Sequence, residues 1–184
     1  MVDAPNEPLS DKWLSLMPYV FDSDMDAVII VGSDDLVTAD YIEACAYMVE
    51  RGADFIYMDG AYFYDAVSGR MIWGNAERLG LGRCLSRRLL ERLEWTPWPE
   101  GLGYGLDGSM SERVKALRDV GVVHLKECRK HGLVGMDIKT DLNMWSFDHI
   151  RNQVISYDAD APAVLNAYFP SVADTLLNWN NDEH

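Results

Sequence analysis

Asp26-Ala27-Val28-Ile29-Ile30-Val31-Gly32-Ser33-Asp34-Asp35-Leu36 is the stretch on which the fold turns. The apolar, β-branched run within Asp26 to Val31 predicts a strand buried on both faces, central in an α/β sheet, that stops at Gly-Ser-Asp-Asp. Two adjacent carboxylates then stand at the carboxyl end of that strand. Ligands bind at such strand ends in open α/β sheets, and a short acidic turn there suits a hard divalent cation with oxygen ligands. The competing reading is that Ser33 or Asp35 caps a helix that begins near Thr38.

Upstream of this stretch, residues 1 to 10 carry Pro5 and Pro8 and read as an irregular lead-in. Residues 11 to 20 place Trp13, Leu14, Leu16, Met17 and Val20 at roughly helical spacing. Downstream, the pattern predicts a helix over residues 38 to 51 stopped by Gly52, then a strand over Asp54 to Met58. A β-hairpin follows, from Ala61-Tyr62-Phe63-Tyr64 to Arg70-Met71-Ile72-Trp73 around a glycine-containing turn. Residues 83 to 93 read as a helix with Leu85, Leu89, Leu90 and Leu93 inside and a basic outer face of Arg87, Arg88 and Arg92. That face is either solvated or a phosphate contact.

Residues 95 to 109 hold too many Gly and Pro residues for a regular element, yet they include Trp95, Trp98 and Tyr104. Such long irregular loops tend to carry function. Asp107 ends this loop before a helix expected over 109 to 117, where it is an N-cap or a site residue. Strands are expected over Val120 to Leu125 and Leu133 to Ile138, then a helix near 147 to 156. The last segment, 157 to 184, reads as an acidic tail with a weak helix over 163 to 179.

The 184 residues show one composition regime and no internal repeat, so one domain is expected. A formal charge of −14 argues against duplex nucleic acid, and an anionic ligand would need a cation or a few placed basic side chains. Cys45, Cys84 and Cys128 fit neither a zinc-site spacing nor a disulfide framework. The sequence shows no export leader and no apolar run of membrane-span length, so a reducing, cytoplasmic setting is expected. Lys139, at the end of an apolar strand, meets a phosphate or forms a surface salt bridge. His124 and His131 are the histidines near strand ends, each a metal-ligand candidate, although a hydrogen-bonded or solvent-facing role is commoner.

The ordered set Gly32-Ser33-Asp34-Asp35, the hairpin Tyr62-Phe63-Tyr64 to Ile72-Trp73, Gly82-Arg83-Cys84-Leu85-Ser86-Arg87, Trp98-Pro99-Glu100-Gly101, Leu106-Asp107-Gly108 and Asp137-Ile138-Lys139-Thr140 resembles the GT-A glycosyltransferase-like proteins, particularly a divergent bacteriophage group. The resemblance spans about residues 7 to 150. It implies a partial GT-A, Rossmann-like mixed sheet flanked by helices with a β-hairpin insertion, in a cytoplasmic protein (host cytoplasm if phage-encoded). It further implies Mn²⁺ or Mg²⁺ on Asp34 and Asp35 against the diphosphate of a nucleotide-sugar donor, with Ser33 and Lys139 beside it. Asp107 matches the base that deprotonates the acceptor hydroxyl in inverting members, and Arg83, Trp98 and Tyr104 are the substrate-contact candidates, with a core role an equal alternative for Trp98.

The sequence departs from the family at its start. Only 33 residues precede Asp34, where the family places a nucleotide-binding half of about three strands. Three explanations follow: a fragment, a partner that supplies the half, or a scaffold kept for binding without turnover. A metal-dependent phosphohydrolase is a weaker reading of the same carboxylates. In a complete sheet the strand Asp26 to Val31 is interior, so here it should present an open edge that recruits a second copy or another chain.

Overall fold

The computed structural model describes residues 7–75, 79–143 and 145–179. The strands form two mixed sheets flanked by helices. The first sheet has the order β1 (Ala27–Ile29), β6 (Cys84–Ser86), β3 (Phe55–Met58), β7 (Val122–Leu125). Strand β6 runs antiparallel to both neighbours, while β3 and β7 are parallel. The second has the order β2 (Asp35–Val37), β8 (Gly135–Lys139), β4 (Gly60–Asp65), β5 (Met71–Asn75), β9 (Ile155–Ala159). Its β4–β8 pair is parallel and its other pairings are antiparallel.

Strand alternation sorts the side chains of the first sheet between two apolar layers. Ala27, Ile29, Ile56, Met58 and Cys84 face a core shared with the second sheet, with α3 (Ala39–Glu50), and with α7 (Ala161–Tyr168) and α8 (Pro170–Leu177). Val28, Ile30, Phe55, Tyr57 and Leu85 face the opposite layer, built by α1 (Leu9–Leu14), α2 (Met17–Phe21), α4 (Arg87–Arg92) and α5 (Leu106–Ala116). A smaller cluster of Phe63, Ile72 and Phe147 lies under α6 (Phe147–Gln153).

Residues 27–30 pack against both layers but are only half-buried, Asp26 is exposed, and the strand is limited to Ala27–Ile29, so the run is neither fully buried nor central. Strand β1 pairs with β6 alone, and among the described residues no strand lies on its other side. Three further readings are corrected by the structure. The helix expected over 83 to 93 begins only at Arg87, because residues 84–86 pair with β1 and Cys84 and Leu85 also with β3, and Ser86 caps the helix by accepting from Leu89 N at 3.1 Å. The helix expected over 11 to 20 breaks at Ser15 and Leu16 into α1 and α2. The presumed tail contributes β9, α7 and α8, whose Leu165, Phe169, Ala173 and Leu176 are core residues, and Tyr64 ties α8 in by donating to the Leu176 carbonyl at 2.9 Å. Of that tail, 180 to 184 lie outside the described residues, as do 1 to 6 of the lead-in. No helix among the described residues is long and apolar enough to cross a membrane.

Candidate active site

The acidic turn joins the two sheets. Strand β1 ends, the chain turns through Gly32 to Asp34, and β2 starts at Asp35. Asp35 Oδ2 accepts from Gly32 N at 2.9 Å and closes the turn. Neither Ser33 nor Asp35 caps the next helix: Thr38 does so, with its hydroxyl accepting from Tyr41 N at 3.4 Å and donating to the Gly132 carbonyl at 2.9 Å. The carboxylates of the turn are thus free of the capping role.

The β2–β8 register sets Asp35 directly opposite Asp137. Opposed residues of an antiparallel pair carry their side chains on one face, so two carboxylates meet there. Lys139, two residues along the same strand face, pairs with Asp137 Oδ2 at 2.7 Å; the pair is largely buried, not a surface bridge. Asp137 Oδ1 is buried and has no hydrogen-bond partner. Asp34 contributes from the turn, where its Oδ2 accepts from Asn143 Nδ2 at 2.6 Å and its carbonyl accepts from Ile138 N at 2.8 Å.

Burial and the neighbouring Asp137 and Asp34 charges push the Asp35 carboxyl up to about 7, against the opposing pull of the Gly32 N–H and Lys139. Asp137 is also raised, by burial and then by Asp34, with Lys139 acting the other way. Like charges crowded out of water resist joint ionisation, which is the common cause of both shifts.

A cleft of about 580 Å³ opens over this cluster. Asp34, Asp35, Asp107, Trp98, Tyr104 and Lys139, which come from separate parts of the sequence, all line it. Asp107 is the second residue of α5, behind a Gly105 N-cap in the left-handed region, so it is not itself the cap. Its carboxyl is raised by burial, with Arg83 opposing, and it lies so close to Gly80 that a Cβ there would fall 2.3 Å from Oδ1. Trp98 is buried, at 2% exposure, and packs on Trp13 with ring centroids 6.3 Å apart. Tyr104, at 79% exposure, stands at the rim.

Two of the substrate and cofactor candidates lie elsewhere. Ser33 is exposed at the turn and does not line the cleft. Arg83 is buried, with Nε on the Leu79 carbonyl at 2.8 Å and Nη1 on the Asp107 carbonyl at 2.7 Å, so it braces the loop and the start of α5. His124 and His131 do not line the cleft either. Conversely, the sequence reading passed over Asp137, Asn143, Trp13 and Trp145, which do. The signal for Asp137 was its spacing of two from Lys139 on a strand, which puts both on one face.

Among the described residues no group of three or more His, Cys, Asp or Glu side chains is arranged as a metal cage. The donor set fits a cation of the Mg²⁺ or Mn²⁺ kind, which takes one or two carboxylates and completes its shell with water and ligand phosphate. The partnerless Asp137 Oδ1 beside raised Asp35 is the observation that supports the fit. No family model matches the chain, and neither a curated protein nor a solved structure matches it.

Proposed function

We propose that the protein is a GT-A glycosyltransferase-like protein that binds a nucleotide-sugar donor through a divalent cation in the acidic cleft. The observation that carries this reading is the convergence of the turn carboxylates, Asp107, Lys139 and the two aromatic side chains on one cleft. Asp34 and Asp35 would hold the cation, with Asp137 facing Asp35 across the strand pair; when bound, the cation would neutralise a diphosphate and stabilise charge on the leaving group. Lys139 adds a fixed positive charge beside the carboxylates. Asp107 takes the proton of the acceptor hydroxyl as the acceptor oxygen bonds to the sugar carbon and the bond from that carbon to the phosphate oxygen breaks. Tyr104 at the rim offers apolar surface for a sugar ring, while Trp98 belongs to the core beneath it.

A second reading is favoured by one observation, the open edge of β1. On that reading the chain is a GT-A-derived binding module, and a second copy or a partner chain adds strands along residues 26–31.

Thermal unfolding with nucleoside diphosphates, with and without Mn²⁺, tests the main reading. A ligand at about 100 times its Kd should stabilise the native state by about 2.7 kcal/mol, and only with the metal present. No shift with any nucleoside diphosphate would overturn it. Where a donor and acceptor pair turns over, Asp107→Asn should lower kcat and leave donor binding nearly intact; binding without turnover assigns the chain to the second reading.

A further inference from the structure

A second, smaller cavity of about 280 Å³ lies between α5 and the β3–β7 edge of the first sheet, and its charge is opposite to that of the acidic cleft. Its charged lining residues are Arg83 and Lys115, with His124 beside them, and no Asp or Glu lines it. That segregation is notable in a chain of net charge −14. A concave site lined by one sign of charge concentrates ions of the other sign.

The walls are preorganised. Tyr57 and His124 are register partners on the parallel strands β3 and β7, and their rings stack with centroids 4.6 Å apart at 16°. The stack fixes the imidazole plane, and His124 Nε2 is buried without a hydrogen-bond partner. Leaving a buried polar atom unpaired is costly, and a ligand acceptor that reached it would relieve that cost. Arg83 is held in place by its bonds to the Leu79 and Asp107 carbonyls, and Ser111 Oγ donates to that same Asp107 carbonyl at 2.8 Å. Ser111 and Arg83 thus share one acceptor at the start of α5. One helical turn on, Lys115 stands at the mouth, where its pair with Glu112 is exposed and readily exchanged. Phe55, 5.8 Å from the Arg83 guanidinium, makes an apolar back wall.

We propose that this pocket is an oxyanion site for phosphate or a small phosphomonoester, recognised by the charges of Arg83 and Lys115 and by the Nε2–H of His124. The volume lies at the lower limit for small-molecule sites, which suits a phosphate head with at most a short organic group. The site stands independently of the glycosyltransferase reading, because it involves neither the acidic turn nor a metal.

Isothermal titration of the whole chain with inorganic phosphate, in EDTA so that no cation serves the cleft, tests it. One phosphate per chain is expected. Lys115→Met and His124→Phe, the second keeping a ring on Tyr57, should each weaken binding about tenfold, the loss expected for one charge-assisted hydrogen bond. Asp35→Asn should bind as wild type does. A parallel titration with glycerol 3-phosphate separates the sources: tighter binding assigns the pocket to a phosphomonoester, equal binding to the free ion. Absence of saturable binding, unchanged affinity in both pocket variants, or loss of binding in Asp35→Asn would overturn the proposal.

Discussion

Asp54 and Asp35 are carboxylates of the same chain placed in opposite circumstances. Asp54 is 2% exposed, yet its oxygens accept from Ser86 Oγ at 2.9 Å, Arg88 Nε at 2.8 Å and Gly121 N at 2.9 Å. Burial alone would raise its pKa, but those donors outweigh burial and hold the carboxyl below the usual range. Asp35 has one backbone donor and faces two like charges, and it is pushed up to about 7. The difference separates a carboxylate that fastens β3, α4 and the start of β7 together from one kept under-satisfied at a cleft. Carboxylates perturbed by desolvation and like charge inside a concavity cluster at functional sites, whereas a fully bonded buried carboxylate serves structure.

The largest expected effect breaks the structural half of this comparison. Asp54→Ala leaves Arg88, Ser86 and Gly121 N without their shared acceptor and should cost on the order of 3 kcal/mol in urea unfolding. A loss below about 1 kcal/mol would mean that water replaces the carboxylate without penalty.

The next effect is smaller and opposite in sign. An acid whose pKa rises on folding binds its proton more tightly in the folded state. Its stabilising contribution is present in full below the ordinary 3.8 and is lost as pH climbs to about 7. In EDTA the wild type should therefore gain on the order of 2 kcal/mol from this site between pH 8 and pH 5. Asp35→Asn keeps an acceptor for Gly32 N and removes the titration. Its stability should exceed that of wild type at pH 8 and converge with it near pH 4. Parallel pH profiles of the two proteins would show that Asp35 ionises normally.

Much of this contrast was hidden in the sequence. The β-branched run 27–31, the Thr38 helix start and the aromatic hairpin were legible because local chemistry decides them. The hairpin appears as the β4–β5 pair, and α3 spans Ala39–Glu50. Short strands were not legible, since three residues carry no periodicity: β2 passed unseen, and β6 was absorbed into a leucine-patterned helix that pairing on both sides overrides. Strand β9 escaped because it lies at a sheet edge and exposes Ile155 and Tyr157. The missing β2 is also why Asp137 was not chosen, since its partnership with Asp35 exists only through that register. Of the cleft residues, Asp34, Asp35, Asp107 and Lys139 were visible as charged side chains at element ends, whereas Trp98 is a core side chain that packing on Trp13 accounts for.

The smallest effect sharpens the cleft half of the comparison. Gly80→Ala puts a Cβ against the Asp107 carboxylate, the movable end of a side chain, and not against backbone. Stability should change by less than about 1 kcal/mol, while the Asp107 carboxyl shifts its titration as it is displaced. Carbon-detected NMR of the side-chain carboxyl reads the shift, and an unmoved titration would show that Gly80 does not position Asp107.

The most direct measurement is a Mn²⁺ titration followed by the paramagnetic resonance signal of the free ion, on wild type, Asp35→Asn and Asp54→Asn. Wild type should bind one ion with a Kd in the millimolar range or tighter, Asp35→Asn should lose it, and folded Asp54→Asn should keep it. Equal binding by wild type and Asp35→Asn, or no binding by wild type, would contradict the assignment of the acidic turn as a cation site.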